Sequence, residues 1–300
     1  MDAWIPITIA AAAAQTLRFM AQKHLKSTAL STGGATLARF LFSAPLAAAL
    51  VVLYGRGSGQ GMPGIGPGFW AYALTGGLAQ ILATMCVVAL FAHRNFAVGI
   101  TFKKTEVILT AVVGFLILGD RISLWGGVAL LIGLLGVLWL SDPPERTGAG
   151  WTRFLNRAAG LGLLSGVFFA ISAVGYRGAV LALEGGDTGL RAGLTLAIVT
   201  AFQTLALGAW LALREPGQIM ATLRAWRVAG MVGLLSMVGS FCWFAAFSLQ
   251  NAAYVFALGQ VELIFSVFVS VLVFREKITG REITGMAVLT LSILIVVWLG

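Results

Sequence analysis

Charge is scarce in this chain. Only 10% of its 300 residues are Asp, Glu, Lys or Arg, against roughly 25% in an ordinary globular domain. A soluble fold of this length could not cover its surface with so few charges. Histidine and cysteine are nearly missing, at two residues each. Cys86 and Cys242 both lie in apolar runs, so neither a disulfide framework nor a metal cluster is indicated. Acidic residues number 11 against 20 basic ones, giving a net charge of +9. The basic residues are scattered through short loops with no basic run or aromatic-interleaved patch, which excludes nucleic acid as a partner and favours anionic lipid head groups.

What the chain has instead is apolar length. Hydrophobic residues make up 59% of it and the mean hydropathy is +0.95. Apolar runs fall at 4–22, 34–54, 69–92, 96–118, 123–141, 157–177, 190–213, 226–248, 253–274 and 280–299. Each can cross a bilayer as a helix. The runs are continuous and do not alternate, which excludes a transmembrane barrel. The expected fold is therefore an all-α integral membrane protein of ten transmembrane helices. The first run has no basic segment before it and is read as a span, not a signal peptide.

The chain also matches itself. A shift of 156 residues pairs Trp70 with Trp226, Gly77 with Gly233, Cys86 with Cys242, Asn95 with Asn251 and Glu106 with Glu262. It continues through Asp120 with Glu276 and Arg121 with Lys277. Two repeats are expected, at 4–141 and 157–299, joined by a polar linker at 142–156. Corresponding helices are five apart, so the copies cross the membrane in opposite directions, the inverted plan that places a binding site at the midplane.

Each repeat carries a Glu in its fourth helix, an apolar run, an acidic–basic turn and a Gly-rich helix. The first copy reads Glu106-Val107-Ile108, then Asp120-Arg121-Ile122, then Gly126 and Gly133; the second reads Glu262-Leu263-Ile264, then Glu276-Lys277-Ile278, then Gly285. In these residues the chain resembles the EamA-type ten-helix members of the drug/metabolite transporter superfamily. The resemblance implies a transporter of small metabolites or drugs in the cytoplasmic (inner) membrane that hydrolyses no ATP. That family commonly has Pro after the Glu, where this chain has Val107 and Leu263.

Glu106 and Glu262 fall near mid-membrane, where a charge costs roughly 2.5–3.5 kcal/mol on insertion scales. They are the leading candidates for substrate contact or proton coupling, the alternative being structural carboxylates that never titrate. Lys103 and Lys104 have Gly259 and Gln260 as counterparts. Lys103 shares a helix face with Glu106. The lysines are read either as a basic wall recognising an anionic substrate or as an ion pair plus a snorkelling side chain. Arg18, late in the first helix beside Gln15, is a further candidate, while Arg39 is expected to anchor at the interface. Tyr254, Leu258, Glu262 and Phe265 follow helical spacing and, with Trp243, are expected to line one cavity face. Trp4, Trp70, Trp151, Trp226 and Trp298 lie near span ends, as belt anchors do. Asn95 and Asn251 are expected N-caps.

No nucleophile–base constellation, filter loop or phosphate loop is present, so neither an enzyme nor a channel is indicated, and no cofactor. The expected partners are a small-molecule substrate, membrane lipids and protons, with the chain a monomer or homodimer. The alternatives are a non-transporting assembly or lipid-binding subunit and, behind it, a membrane enzyme acting on a lipid-linked substrate. Loops on the side of the N terminus hold Arg56, Arg121 and Arg191, and those opposite hold twelve basic residues. The positive-inside rule therefore places both termini outside, whereas the family resemblance implies both inside.

Overall fold

A computed structural model describes residues 2–28, 30–90, 103–140, 157–265 and 280–299. His93, Asn95, the linker with Trp151, and the turn Arg275-Glu276-Lys277 lie outside the described residues. The chain is an all-α membrane protein. In order, the helices are α1 Trp4–Thr28, α2 Thr32–Ser58, α3 Pro67–Leu90, α4 Glu106–Leu118, α5 Leu124–Leu140, α6 Arg157–Leu181, α7 Thr188–Arg214, the short α8 Gln218–Arg224, α9 Trp226–Leu249, α10 Ala252–Gly259 and α11 Gly280–Leu299. Two-residue strands, β1 Gly64–Ile65 and β2 Leu183–Glu184, pair antiparallel between the α2–α3 and α6–α7 connections.

Among the described residues, five helices are long and apolar enough to cross a membrane: α2, α3, Gly160–Leu181 of α6, α7 and α9. The apolar stretch of α6 is 67% buried and that of α7 only 33%, so α6 is central and α7 peripheral. Leu205 and Leu213 of α7 and Leu116 of α4 are exposed. In a chain this apolar, such outward faces meet hydrocarbon. Trp70, Trp226 and Trp298 are exposed as belt anchors are, but Trp4 is buried in the main apolar cluster and anchors nothing at the interface.

The helices pack across the two halves in reciprocal fashion. α1 lies on α9 and α3 on α6, while α2 pairs with α7, α4 with α10 and α5 with α11. The α3–α6 crossing is backbone on backbone: a Cβ on Gly175 would stand 2.9 Å from the Cα of Gly76 and 3.0 Å from the carbonyl oxygen of Tyr72. Gly133 and Gly136 of α5 admit Ser292 and Leu289 of α11 in the same way.

The two ends of the bundle are tied by matching devices. Ser31 caps α2 by accepting from the Gly34 amide at 3.0 Å, and its own amide donates to Gln218 Oε1 at 2.9 Å. Asp187 caps α7 by accepting from the Leu190 amide at 2.8 Å, and its own amide donates to Gln60 Oε1 at 2.9 Å. Both capping residues and both capped amides are 156 apart. Ser31 also donates to Glu215 and Asp187 accepts from Tyr54, so each cap bonds across the halves.

Candidate functional site

The site begins at two turns in the chain. The chain turns at Lys104-Thr105 just before α4, and turns again at Gln260, after which helix resumes at 261–265. At each turn an amide reaches back three residues, Val107 to the Lys104 carbonyl at 3.5 Å and Leu263 to the Gln260 carbonyl at 2.9 Å. These positions are also 156 apart. Each Glu thus stands beside a tight turn, next to the position where the resembled family commonly has Pro. Glu106 opens α4 and Glu262 is the second residue of the resumed helix. Both carboxylates stand at helix N-termini, where the exposed amides and the dipole favour negative charge. Gly166 of α6 lets the first turn pack closely, since a Cβ there would lie 3.0 Å from the Lys103 carbonyl oxygen.

Each Glu is paired with a lysine. Lys103 Nζ lies 2.8 Å from Glu106 Oε1, and Lys104 forms an ion pair with Glu262. The second pair joins the two halves of the chain, which helical spacing alone could not show. Glu262 also accepts from Gln15 Nε2 of α1 at 2.8 Å. All four charged residues are buried. In a low-dielectric interior such pairs hold together strongly because neither charge can be left alone. Lys104 therefore does not snorkel to an interface.

Aromatic side chains close the site. Lys103 Nζ stands 5.0 Å from the centroid of the Phe169 ring. Trp243 packs on Phe247 and edge-on to Phe256, with Gly259 providing room: a Cβ there would meet the indole at 2.5 Å. The Trp243 indole nitrogen has no acceptor among the described residues. Gln15, Lys103, Lys104, Glu106, Phe169, Trp243, Phe256, Gly259 and Glu262 together surround a cavity of about 20 Å³, which is room for about one water. The charges are gathered around a water-sized space with no room for an organic molecule.

Of the residues singled out in the sequence, Glu106, Glu262, Lys103, Lys104 and Trp243 meet here. Arg18 adjoins them through Gln15, donating to its Oε1 at 3.5 Å. Tyr254 does not belong. Its hydroxyl accepts from the Ser123 amide at 2.9 Å, pinning the α4–α5 turn. The periodicity that joined Tyr254 to Glu262 assumed a continuous helix, and the turn at Gln260 breaks it. Arg39 is not at an interface either, being 4% exposed and bonded to Thr84 and Ser240. Gln15, Phe169, Phe256 and Gly259 complete the site without having been singled out for it; only Gly259, as the counterpart of Lys103, carried a signal. Asn251 caps α10 by accepting from the Ala253 amide. Among the described residues no three His, Cys, Asp or Glu side chains gather to hold a metal.

The EamA-like transporter family model matches residues 156–298, consistent with membership of the drug/metabolite transporter superfamily. Among curated proteins nothing matches significantly. Solved structures that match number 28. One, described only as "Crystal structure of protein", has a TM-score of 0.66 at 14% identity, covering 97% of this chain and 99% of that one. It is a likeness of fold.

Proposed function

We propose that this EamA-like chain is a secondary transporter that moves a small organic metabolite bearing a carboxylate or other anionic group across the cytoplasmic (inner) membrane. The two halves, read as inverted five-helix repeats over 4–141 and 157–299, rock about the midplane site. The carrying observation is the pair of Lys–Glu contacts buried around a water-sized cavity, one of them bridging the halves. Reciprocal helix pairing and the matched caps Ser31 and Asp187 support the repeat reading. Ties at both ends and a collapsed centre fit an occluded intermediate of alternating access.

Substrate entry then requires one end to release and the ion pairs to rearrange. A carboxylate can take Lys104 from Glu262, and Glu262 left without its lysine is a group that can accept a proton. This is how proton coupling enters the cycle. The rival expectation, a subunit that only assembles or binds lipid, calls for an interior packed by apolar side chains, and the gathered charges weigh against it.

The test is a melting series on the detergent-purified protein with anionic, zwitterionic and cationic metabolites, followed by counterflow of each hit in proteoliposomes. A ligand at one hundred times its Kd stabilises by about 2.7 kcal/mol. Anionic hits that exchange across the membrane, and weaken in Glu106→Gln or Glu262→Gln, are expected. Absence of both stabilisation and flux across the panel would sink the reading.

A further inference from the structure

Among the described residues the buried charges do not balance. Arg18, Arg39, Lys103 and Lys104 are all buried, against the carboxylates of Glu106 and Glu262. Each lysine has its Glu, so the excess rests on the two arginines. Among the described residues neither has a carboxylate partner. A lysine could escape this situation by losing its proton, but a guanidinium stays charged. Two permanent cations in a membrane interior are costly unless something negative meets them.

Their present partners are neutral. Arg18 donates to Gln22 Oε1 at 2.6 Å and to Gln15 Oε1 at 3.5 Å, and lies 4.2 Å from the Phe19 ring centroid. Arg39 donates to Thr84 Oγ1 at 2.9 Å and to Ser240 Oγ at 3.4 Å. A guanidinium has five N–H donors, so both forks are under-used among the described residues. The two are linked through Gln22, which accepts from Arg18 and donates at 3.1 Å to the Ala35 carbonyl, one turn before Arg39 on α2. Both adjoin the central site, Arg18 through Gln15 and Arg39 through Ser240, which is one helical turn before Trp243.

We propose that Arg18 and Arg39 are the oxyanion-recognition subsite of the transporter, and that its substrate is a small organic dianion, a phosphate monoester or a dicarboxylate. This rests on the transport reading and narrows its substrate class. The two charges of the ligand match the two that the protein leaves unmatched. Gln15, Gln22, Thr84 and Ser240 hold the forks in the occluded state. An oxyanion displaces them because charge-assisted, bidentate bonds are the stronger ones. The Lys–Glu pairs then serve opening and coupling, while the arginines set the sign and number of charges carried.

The test uses the full-length protein in detergent, melted with glycerol 3-phosphate, succinate, acetate or free arginine at equal ionic strength. At least one of the two dianions is expected to raise the melting temperature, with acetate and arginine inert. Arg18→Gln and Arg39→Gln should each weaken that binding at least tenfold, and Arg39→Lys by less. Without ligand, Arg39→Gln should melt no lower than the parent, since it removes an unmatched charge; should it fail to fold, Arg39→Lys carries the comparison. Failure of both dianions to stabilise, equal stabilisation by acetate, or undiminished binding in both Gln variants would each overturn the inference. Counterflow of a neutral or cationic metabolite without dianion binding would overturn it and leave transport standing. Dianion binding without any flux would do the reverse.

Discussion

Thr84 and Ser240 stand 156 residues apart and hold the same side chain, Arg39, from opposite halves of the chain. On the proposed two-repeat reading, a residue held by two equivalent positions lies near the axis that relates them. Glu106 and Glu262 are likewise 156 apart and line one cavity, as are Lys103 and Gly259. The same reading puts Arg39 and the Lys–Glu site in one axial region. The asymmetry within it is chemical. Where one half offers Lys103 the other offers Gly259, and the space left by the missing side chain is filled by Trp243.

Lys104 and Glu262 are expected to behave as one unit. Removing one partner of a buried pair typically costs about 3–5 kcal/mol, because a charge loses its counter-charge. Lys104→Gln should therefore destabilise strongly, and adding Glu262→Gln should recover much of the loss. A double-mutant cycle by thermal or denaturant melting reads this directly. Additive losses would show that the two side chains do not depend on each other.

Much of this was legible in the sequence, and the failures share a cause. The apolar runs, the 156-residue register and the Lys103–Glu106 pair follow from composition and spacing, which are local. Lys104–Glu262 and Gln15–Glu262 depend on how the halves meet, which spacing does not encode. Arg39 lies deeper than its distance from the helix start implies. The connections at that end, with α8 and Ser31, cover the start of α2, so a residue two turns in is already enclosed. Tyr254 was misplaced because its helix is interrupted, and no proline marks the break.

Gly175 is expected to tolerate nothing larger. The atoms a Cβ would meet are the Cα of Gly76 and the carbonyl oxygen of Tyr72, both backbone. Neither can swing aside as a side chain would, so the α3–α6 crossing must open. Gly175→Ala should cost about 1–3 kcal/mol, the usual penalty of overpacking. Gly160, with open space around its Cβ position, is the control. Equal melting temperatures for Gly175→Ala and Gly160→Ala would contradict the close crossing.

Asp187 links stability to acid. The Leu190 amide first, then the Tyr54 hydroxyl and Gln60, hold its carboxyl below the usual carboxylate range. A depressed folded pKa means that its contribution is present above the unfolded value, about 3.9, and is lost as pH falls through the folded one. Asp187→Asn should therefore melt below the parent at neutral pH, and the gap should close in acid. A gap that persists unchanged however far the pH falls below the usual carboxylate range would rule out the ionised carboxylate as its source.

Arg177 gathers three elements at the end of the bundle where α6 finishes. Its Nε and one terminal nitrogen reach the two oxygens of Asp120 at 2.9 and 3.2 Å. The other terminal nitrogen donates to the carbonyls of Phe247, at 2.5 Å, and Gln250, at 2.7 Å. The planar fork suits this arrangement, since it addresses a carboxylate along one edge and the end of α9 along the other. An ammonium cannot do both, because it is a point charge on a flexible stem. Arg177→Lys is therefore expected to lose most of what Arg177→Ala loses, about 1.5–3 kcal/mol for hydrogen bonds to charged groups. Melting of the two variants beside the parent decides it. If Arg177→Lys matches the parent, charge alone suffices there and the fork has no part in closing this end.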